Sequence, residues 1–243
     1  MKIIKHKQPI MNKVEFKCDG KLSKHLDDDP LLKNMNKSFC CGLISKAGGG
    51  KTTMLTSLIT TKHKFKKVFN HIYLFMPSSS RNSLRKDIFD ELPDEQKFEG
   101  VTLDNLNHIY ETLLDNSENK GTSLLIFDDV QSYFSKKEIY QMLLHIISNR
   151  RHLRTSLFVV AQNYLKVPKQ IRQVFSDLFI WNISKDQFNT IHDELLNINK
   201  KEFISVLKEF RKEKENNKYS FIYIHDFDKI FINYNELIFD DEL

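Results

Sequence analysis

The nine residues SKAGGGKTT, positions 45–53, join a short apolar run, FCCGLI, to an amphipathic stretch beginning at Lys51. Three consecutive glycines at such a junction allow a turn that side chains would block. Without Cβ atoms, Gly48, Gly49 and Gly50 let the chain bend until successive backbone N–H groups converge on one point. A helix opening at Lys51 adds the partial positive charge of its amino terminus. The spacing is that of a phosphate-binding loop (Gly, any four residues, Gly, Lys, Ser or Thr), except that Ser45 stands where the first glycine belongs. That position ends the strand and shapes the turn without cradling phosphates, and serine is small enough to fit. The residues expected around a nucleotide are therefore Ser45, Lys46, Ala47, Gly48, Gly49, Gly50, Lys51, Thr52 and Thr53, with Lys51 on the β- and γ-phosphates and the Thr52 hydroxyl on Mg²⁺. Taken alone, the stretch also reads as a Gly-rich strand-to-helix turn that binds nothing.

The rest of the chain supplies the context. Apolar runs at 39–44, 71–76, 123–130, 156–162 and 178–183 read as strands, and amphipathic stretches between them read as helices. One helix covers 51–60. A second carries Leu106, Ile109, Tyr110, Leu113 and Leu114 on one face, and Ser135 with Glu138 suggests a capping box for a third. Pro168 marks the first turn of another. This alternation predicts an α/β fold, a mostly parallel sheet covered by helices on both faces. The segment YSFIYIHDFDKIFINY predicts a C-terminal β-hairpin over 219–235. The expected division is an irregular or β lead-in at 1–37, polar and rich in lysine, followed by a single domain over 38–243.

Two further strand ends carry chemistry. LLIFDD places Asp128 and Asp129 at the end of the third strand, four apolar residues followed by two acids. Adjacent carboxylates repel, and a divalent cation beside them gives a physical reason for the pair. Asp128 is expected to hold Mg²⁺ through water and Asp129 to orient the attacking water and accept its proton. Gln162 ends the fourth strand, where a polar side chain would sit beside the γ-phosphate, between the strand that leads into the loop and the strand that ends in Asp128. Between Lys51 and Asp128 the chain has room for an additional strand and helix, as in the P-loop ATPase division that uses a catalytic acid. No Asn-Lys-x-Asp guanine-reading segment follows.

Composition narrows the classes. The chain has 40% apolar and 28% charged residues among 243, with a net charge of +5. This is compatible with nucleic acid as a partner without requiring it. Basic residues cluster at 61–67, 149–154 and 208–218. No stretch approaches the ~20 apolar residues of a membrane span, and the charged start MKIIKHKQPI lacks the apolar middle of a secretory signal. Cys18, Cys40 and Cys41 have no metal-type spacing and point to a reducing compartment.

The order GLISKAGGGKTT … LLIFDDV … NRRHLRTSLFVVAQNYLKVPKQIRQVFSDLFIW resembles the viral genome-packaging ATPases of the FtsK/HerA lineage, the poxvirus-type enzymes found also in giant viruses, virophages and polinton-like elements. The similarity covers roughly 38–183, and 149–181 carries it more specifically than the two Walker motifs do. It implies a RecA-like ATPase that binds ATP and Mg²⁺ and assembles as an oligomeric ring, drawn as a hexamer. The ring would pump double-stranded DNA, without sequence preference, into a preformed capsid through capsid or portal-vertex proteins. It further implies work in the host cytoplasm or viral factory, or association with the virion. Carried over by position, Lys51 and Thr52 belong to Walker A, Asp128 and Asp129 to Walker B, and Gln162 is the strand-four sensor. An arginine finger acting on a neighbouring subunit is expected between Walker B and the sensor. Arg151 is the first candidate, with Arg150, Arg154 and Arg172 as rivals. Many relatives have Glu where this chain has Asp129. The rival readings are a ring helicase or conjugation-type DNA pump, a nucleotide-holding module without turnover, and a nucleotide kinase, which the additional strand and the lack of an evident lid disfavour.

Overall fold

The structure, a computed structural model, describes residues 22–23, 26–82, 84 and 87–239. Most of the lead-in (1–21, 24–25) and the end of the acidic tail (240–243) lie outside the described residues.

The described strands are β1 (Cys40–Ile44), β2 (His71–Phe75), β3 (Lys97–Phe98), β4 (Ser123–Asp128), β5 (Thr155–Ala161), β6 (Asp177–Ile180), β7 (Ile222–His225), β8 (Lys229–Ile232) and β9 (Asn235–Leu237). They form one sheet in the order β3-β2-β4-β5-β1-β6-β7-β8-β9. The first six are parallel, and β7, β8 and β9 continue antiparallel from the edge of β6. The mostly parallel α/β fold expected from the alternation is what the chain adopts. Its expected hairpin is β7–β8, and β9 adds a third antiparallel strand. In the chain, β2 lies between the two Walker strands. In space β2 sits beyond β4, and β5 is the strand that separates β1 from β4.

The helices are α1 (Lys51–Thr60), α2 (Ser78–Asn82), α3 (Leu103–Glu118), α4 (Lys137–Asn149), α5 (Lys169–Arg172), α6 (Lys185–Leu195) and α7 (Lys200–Asn216). Strand side chains alternate between two cores, as a period of two requires. Leu125 and Phe127 of β4 face α3 to α7, whereas Leu124 and Ile126 face α1. The two layers are unequal. A single long helix, α1, lies on the second face, and the remaining cover comes from Leu26, Leu31, Leu32 and Met35 of the lead-in together with Phe65 and Phe89. The Tyr223 hydroxyl donates to the Leu31 carbonyl (3.3 Å), tying this cover to β7.

Two local expectations are corrected. Leu114 does not join the buried face of α3 but is 39% exposed, because Leu106, Ile109 and Leu113 already fill the contact with the sheet. Ser135 does not cap α4. It closes a 3₁₀ helix at Gln131–Ser135 and donates its hydroxyl to the Ser132 carbonyl, so the helix starts at Lys137 without a side-chain cap. Side-chain caps open α6 and α7 instead. Ser184 accepts from the Gln187 N–H, and Asn199 with Glu202 makes a reciprocal capping box.

Candidate active site at the carboxyl edge of the sheet

Register decides what meets at the carboxyl ends of the strands. Ile44 pairs with Ala161 and with Ile180, and Asp128 pairs with Val160. The next residues along each strand (Ser45, Gln162, Trp181 and Asp129) therefore emerge on one edge, where a parallel sheet binds its ligands. The loop 45–50 leaves β1 at this edge and is fastened on both sides. Ser45 N–H donates to the Ala161 carbonyl (3.2 Å), and Lys46 N–H donates to the Asn182 carbonyl (3.1 Å).

Gly50 caps α1 at φ 101°, a left-handed conformation that side chains rarely adopt. Ser45 is fully buried, and its hydroxyl lies where Gly49 has no side chain: a Cβ there would meet Ser45 Oγ at 1.7 Å. Serine at the first loop position is thus accommodated by glycine at the fifth. Lys51 Nζ folds into the loop and donates to the carbonyls of Ser45 (2.8 Å) and Lys46 (3.3 Å). Burial lowers its pKa, against the upward pull of Asp128 and Asp129.

The two carboxylates occupy different environments. Asp128 is 3% exposed; burial pushes its pKa up to about 6, with Lys51 pulling down and Asp129 pushing up. Its Oδ2 has no hydrogen-bond partner among the described residues. A buried, unpartnered carboxylate oxygen on the same edge of the sheet as a threonine at a helix start is the donor chemistry that a hydrated Mg²⁺ takes. Asp129 follows at φ 58°, a left-handed backbone that aspartate tolerates. Its Oδ1 accepts from Gln162 Nε2 (3.0 Å) and its Oδ2 from Ser80 Oγ (3.2 Å). Gln162 N–H in turn donates to Gln131 Oε1 (3.1 Å). The structure therefore brings together the loop, Lys51, Thr52, Asp128, Asp129 and Gln162, residues spread over more than 110 positions.

Ser80 and Gln131 were missed by sequence reasoning. Ser80 lies in PSSS just past β2, the strand paired with β4, so a strand-end hydroxyl beside the acid pair was the available signal. Gln131 had none.

The arginines are elsewhere. Arg150, Arg151 and Arg154 lie in the turn before β5, at the opposite edge of the sheet. The seven residues of β5 span roughly 23 Å at about 3.3 Å each. Arg150 donates to the carbonyls of Ser38 (2.9 Å) and Ile147 (3.0 Å). Arg151 is exposed and Arg154 half-buried. Arg172, only 7% exposed, forks onto both oxygens of Glu194 (2.6 and 3.0 Å) and stacks on the Tyr164 ring.

A family model described as "Poxvirus A32 protein" matches residues 24–242. The chain is 27% identical over 199 residues to the DNA packaging protein OPG160 of Variola virus, which covers 79% of this chain and 72% of that protein. It is 26% identical over 217 residues to the protein of the same name from Vaccinia virus (strain Copenhagen), covering 82% and 73%. Among solved structures the fold is similar to B204, the DNA-packaging ATPase from Sulfolobus Turreted Icosahedral Virus (TM-score 0.52, 15% identity, 82% of this chain and 98% of that one). It is also similar to the genome packaging NTPase B204 from Sulfolobus turreted icosahedral virus 2 in complex with AMP (TM-score 0.55, 14% identity, 84% and 100%).

Proposed function

We propose a function that starts from family: the chain belongs to the Poxvirus A32 protein family, whose model spans residues 24–242. Within that family it acts as an ATP-hydrolysing motor that moves double-stranded viral DNA into a preformed capsid. The DNA packaging names of its poxvirus relatives support this reading. The single observation that carries the chemistry is the sheet register that sets Lys51, Asp128, Asp129 and Gln162 along one edge.

The backbone N–H groups of the glycine loop and the Lys51 ammonium hold the β- and γ-phosphates. The Thr52 hydroxyl and Asp128 would hold Mg²⁺, which would supply further neutralisation of the phosphate charge. A water oxygen bonds to the γ-phosphorus as the bond from that phosphorus to its bridging oxygen breaks, and Asp129 takes the water's proton. Gln162 and Ser80 hold the two oxygens of Asp129 so that it is aimed before the reaction. A neighbour's arginine adds positive charge, and Arg151 is our candidate. The chain therefore works as a homo-oligomeric ring, a hexamer in this reading, docked on capsid or portal-vertex proteins in the infected cell. The domain is residues 38–243, with 26–37 packed on it as cover.

DNA meets basic residues at the other edge of the sheet. The cluster 61–67 and Arg154, far apart in sequence, precede β2 and β5 and so share the amino-terminal edge. Lys37, Val68, Thr122 and Arg154 line one small cavity there. Such lysines and arginines grip phosphates without reading sequence.

Phosphate release from the full chain with duplex DNA tests the reading. Lys51→Ala is expected to abolish hydrolysis, and Asp129→Asn to bind ATP while turning none over. Turnover by Asp129→Asn at the parent rate would remove Asp129 from its role. Strand displacement of a duplex with no capsid filling would favour a ring helicase instead.

A further inference from the structure

A cavity of about 590 Å³ opens beside the phosphate loop, and its two sides differ in chemistry. One side is the loop and the start of α1, including Gly50, Thr53 and Ser57. The other is aromatic, formed by Trp181, Tyr219, Phe221 and Tyr234. Phosphates have no use for such a wall. It begins immediately at the loop, because a Cβ on Gly50 would lie 3.7 Å from the Tyr219 ring and 3.8 Å from Trp181 Nε1.

The wall has a fixed back and an open front. Trp181 and Phe221 are buried, with ring centroids 5.8 Å apart, and Trp181 stacks on Phe179 at 6.2 Å. Tyr219 and Tyr234 are 51% and 45% exposed, among the few large hydrophobic side chains left open to solvent. Both are nevertheless held in place. Tyr219 N–H donates to Asn217 Oδ1 (3.0 Å), and Lys218 Nζ sits 4.8 Å from the Tyr219 ring centre. Tyr234 packs edge-on against Phe221 at 5.9 Å and accepts from Lys64 Nζ at 3.5 Å. Tyr219 leads into β7, and Tyr234 lies in the turn between β8 and β9, so the antiparallel strands present the wall.

We propose that Tyr219 and Tyr234 hold the nucleobase of the bound triphosphate by stacking, and that the site takes adenine and guanine nucleotides alike. The inference rests on the phosphate-loop reading above. A π-face stacks with any base. The lining hydroxyls of Thr53 and Ser57 can each donate or accept, so they fit the edge of either purine. Discrimination would need a fixed donor–acceptor pattern, and apart from the Lys51 ammonium, which the loop reading commits to phosphate, the lining side chains fix only one such group, the donor Trp181 Nε1.

The test is calorimetric binding of ATP, GTP and inorganic tripolyphosphate to the full chain. Tyr219→Ala and Tyr234→Ala are each expected to weaken ATP and GTP together, by about 5- to 150-fold, and to leave tripolyphosphate unchanged. Tyr219→Phe and Tyr234→Phe should bind as the parent does. Lys51→Ala should weaken all three ligands. Parent-like ATP binding by both alanine variants would overturn the proposal, as would an equal loss of tripolyphosphate, or a parent that separates ATP from GTP by more than about tenfold. A parent that binds tripolyphosphate as tightly as ATP would overturn this inference and leave the loop reading standing. A parent that binds none of the three would overturn both.

Discussion

Asp128 is kept ionisable at a cost to the fold. Its folded pKa of about 6 lies above the ordinary 3.8, so the native chain binds more protons than the unfolded chain between those values. Stability contributed by this group therefore increases as pH falls through 6 and is least at neutral pH, where the buried charge is present. The difference of 6 − 3.8 = 2.2 units corresponds to a penalty on the order of 3 kcal/mol at pH 7. Asp128→Asn is accordingly expected to raise the urea midpoint at pH 7 in the presence of EDTA while abolishing hydrolysis. A lower midpoint would mean that the carboxylate has a structural partner. If Asp128 holds Mg²⁺, protons compete with the cation for it, and the Mg²⁺ concentration that gives half-maximal turnover is expected to rise as pH falls below about 6.

At the scale of elements, the short α5 is tied to α6 by one side chain. Arg172 reaches both Glu194 oxygens and the Tyr164 ring, and Tyr164 Oη donates to the same Glu194 (3.0 Å). Removing one partner of a buried ion pair leaves the other uncompensated, at about 3–5 kcal/mol. Arg172→Ala is thus expected to lower the denaturation midpoint substantially, whereas Arg151→Ala, on an exposed turn, should leave it within about 0.5 kcal/mol. Equal midpoints would mean that Arg172 is not committed to Glu194. The sheet's other polar anchor lies at the start of β6. There Asp177 accepts from Tyr223 Oη (2.5 Å) and from His225 Nδ1 (2.9 Å), fastening the antiparallel strands that carry the aromatic wall.

At the scale of the molecule, the nucleotide edge and the basic edge are opposite ends of one sheet. An arginine at the far end of a strand roughly 23 Å long from its own loop can serve only a neighbour's, which a head-to-tail ring interface permits. Mixing Arg151→Ala with Lys51→Ala, each inactive alone, is expected to restore partial ATPase activity at interfaces that pair an intact loop with an intact arginine. A mixture that stays inactive would return Arg151 to the DNA-facing patch. That patch makes its own prediction. Duplex binding should weaken with salt at about −0.9 per phosphate contacted on a log–log plot, with little dependence on sequence. A flat salt dependence would remove the motor's grip on DNA from this edge.

Local pattern was enough for the elements that carry the chemistry. Residues 51–60 form α1 because glycines end the strand before them and apolar positions recur at helical spacing. Asp128, Asp129 and Gln162 could be placed at strand ends because apolar runs stop there. Beyond the expected place of Gln162 between the Walker strands, local pattern could not supply the order of strands. Whether β2 or β5 separates the Walker strands depends on pairings between residues far apart in the chain, and the choice of β5 is what lets Gln162 reach Asp129. The same holds for Tyr219 and Tyr234. Their sequence shows only the ordinary aromatics of a hairpin, and they face the loop because β7 adds antiparallel to β6, with β8 and β9 after it, and brings them back across more than 160 residues. Periodicity is a property of neighbours in the chain, and so it fixes which face of an element is buried. Which elements share an edge is settled by packing, and in this protein the active edge is made there.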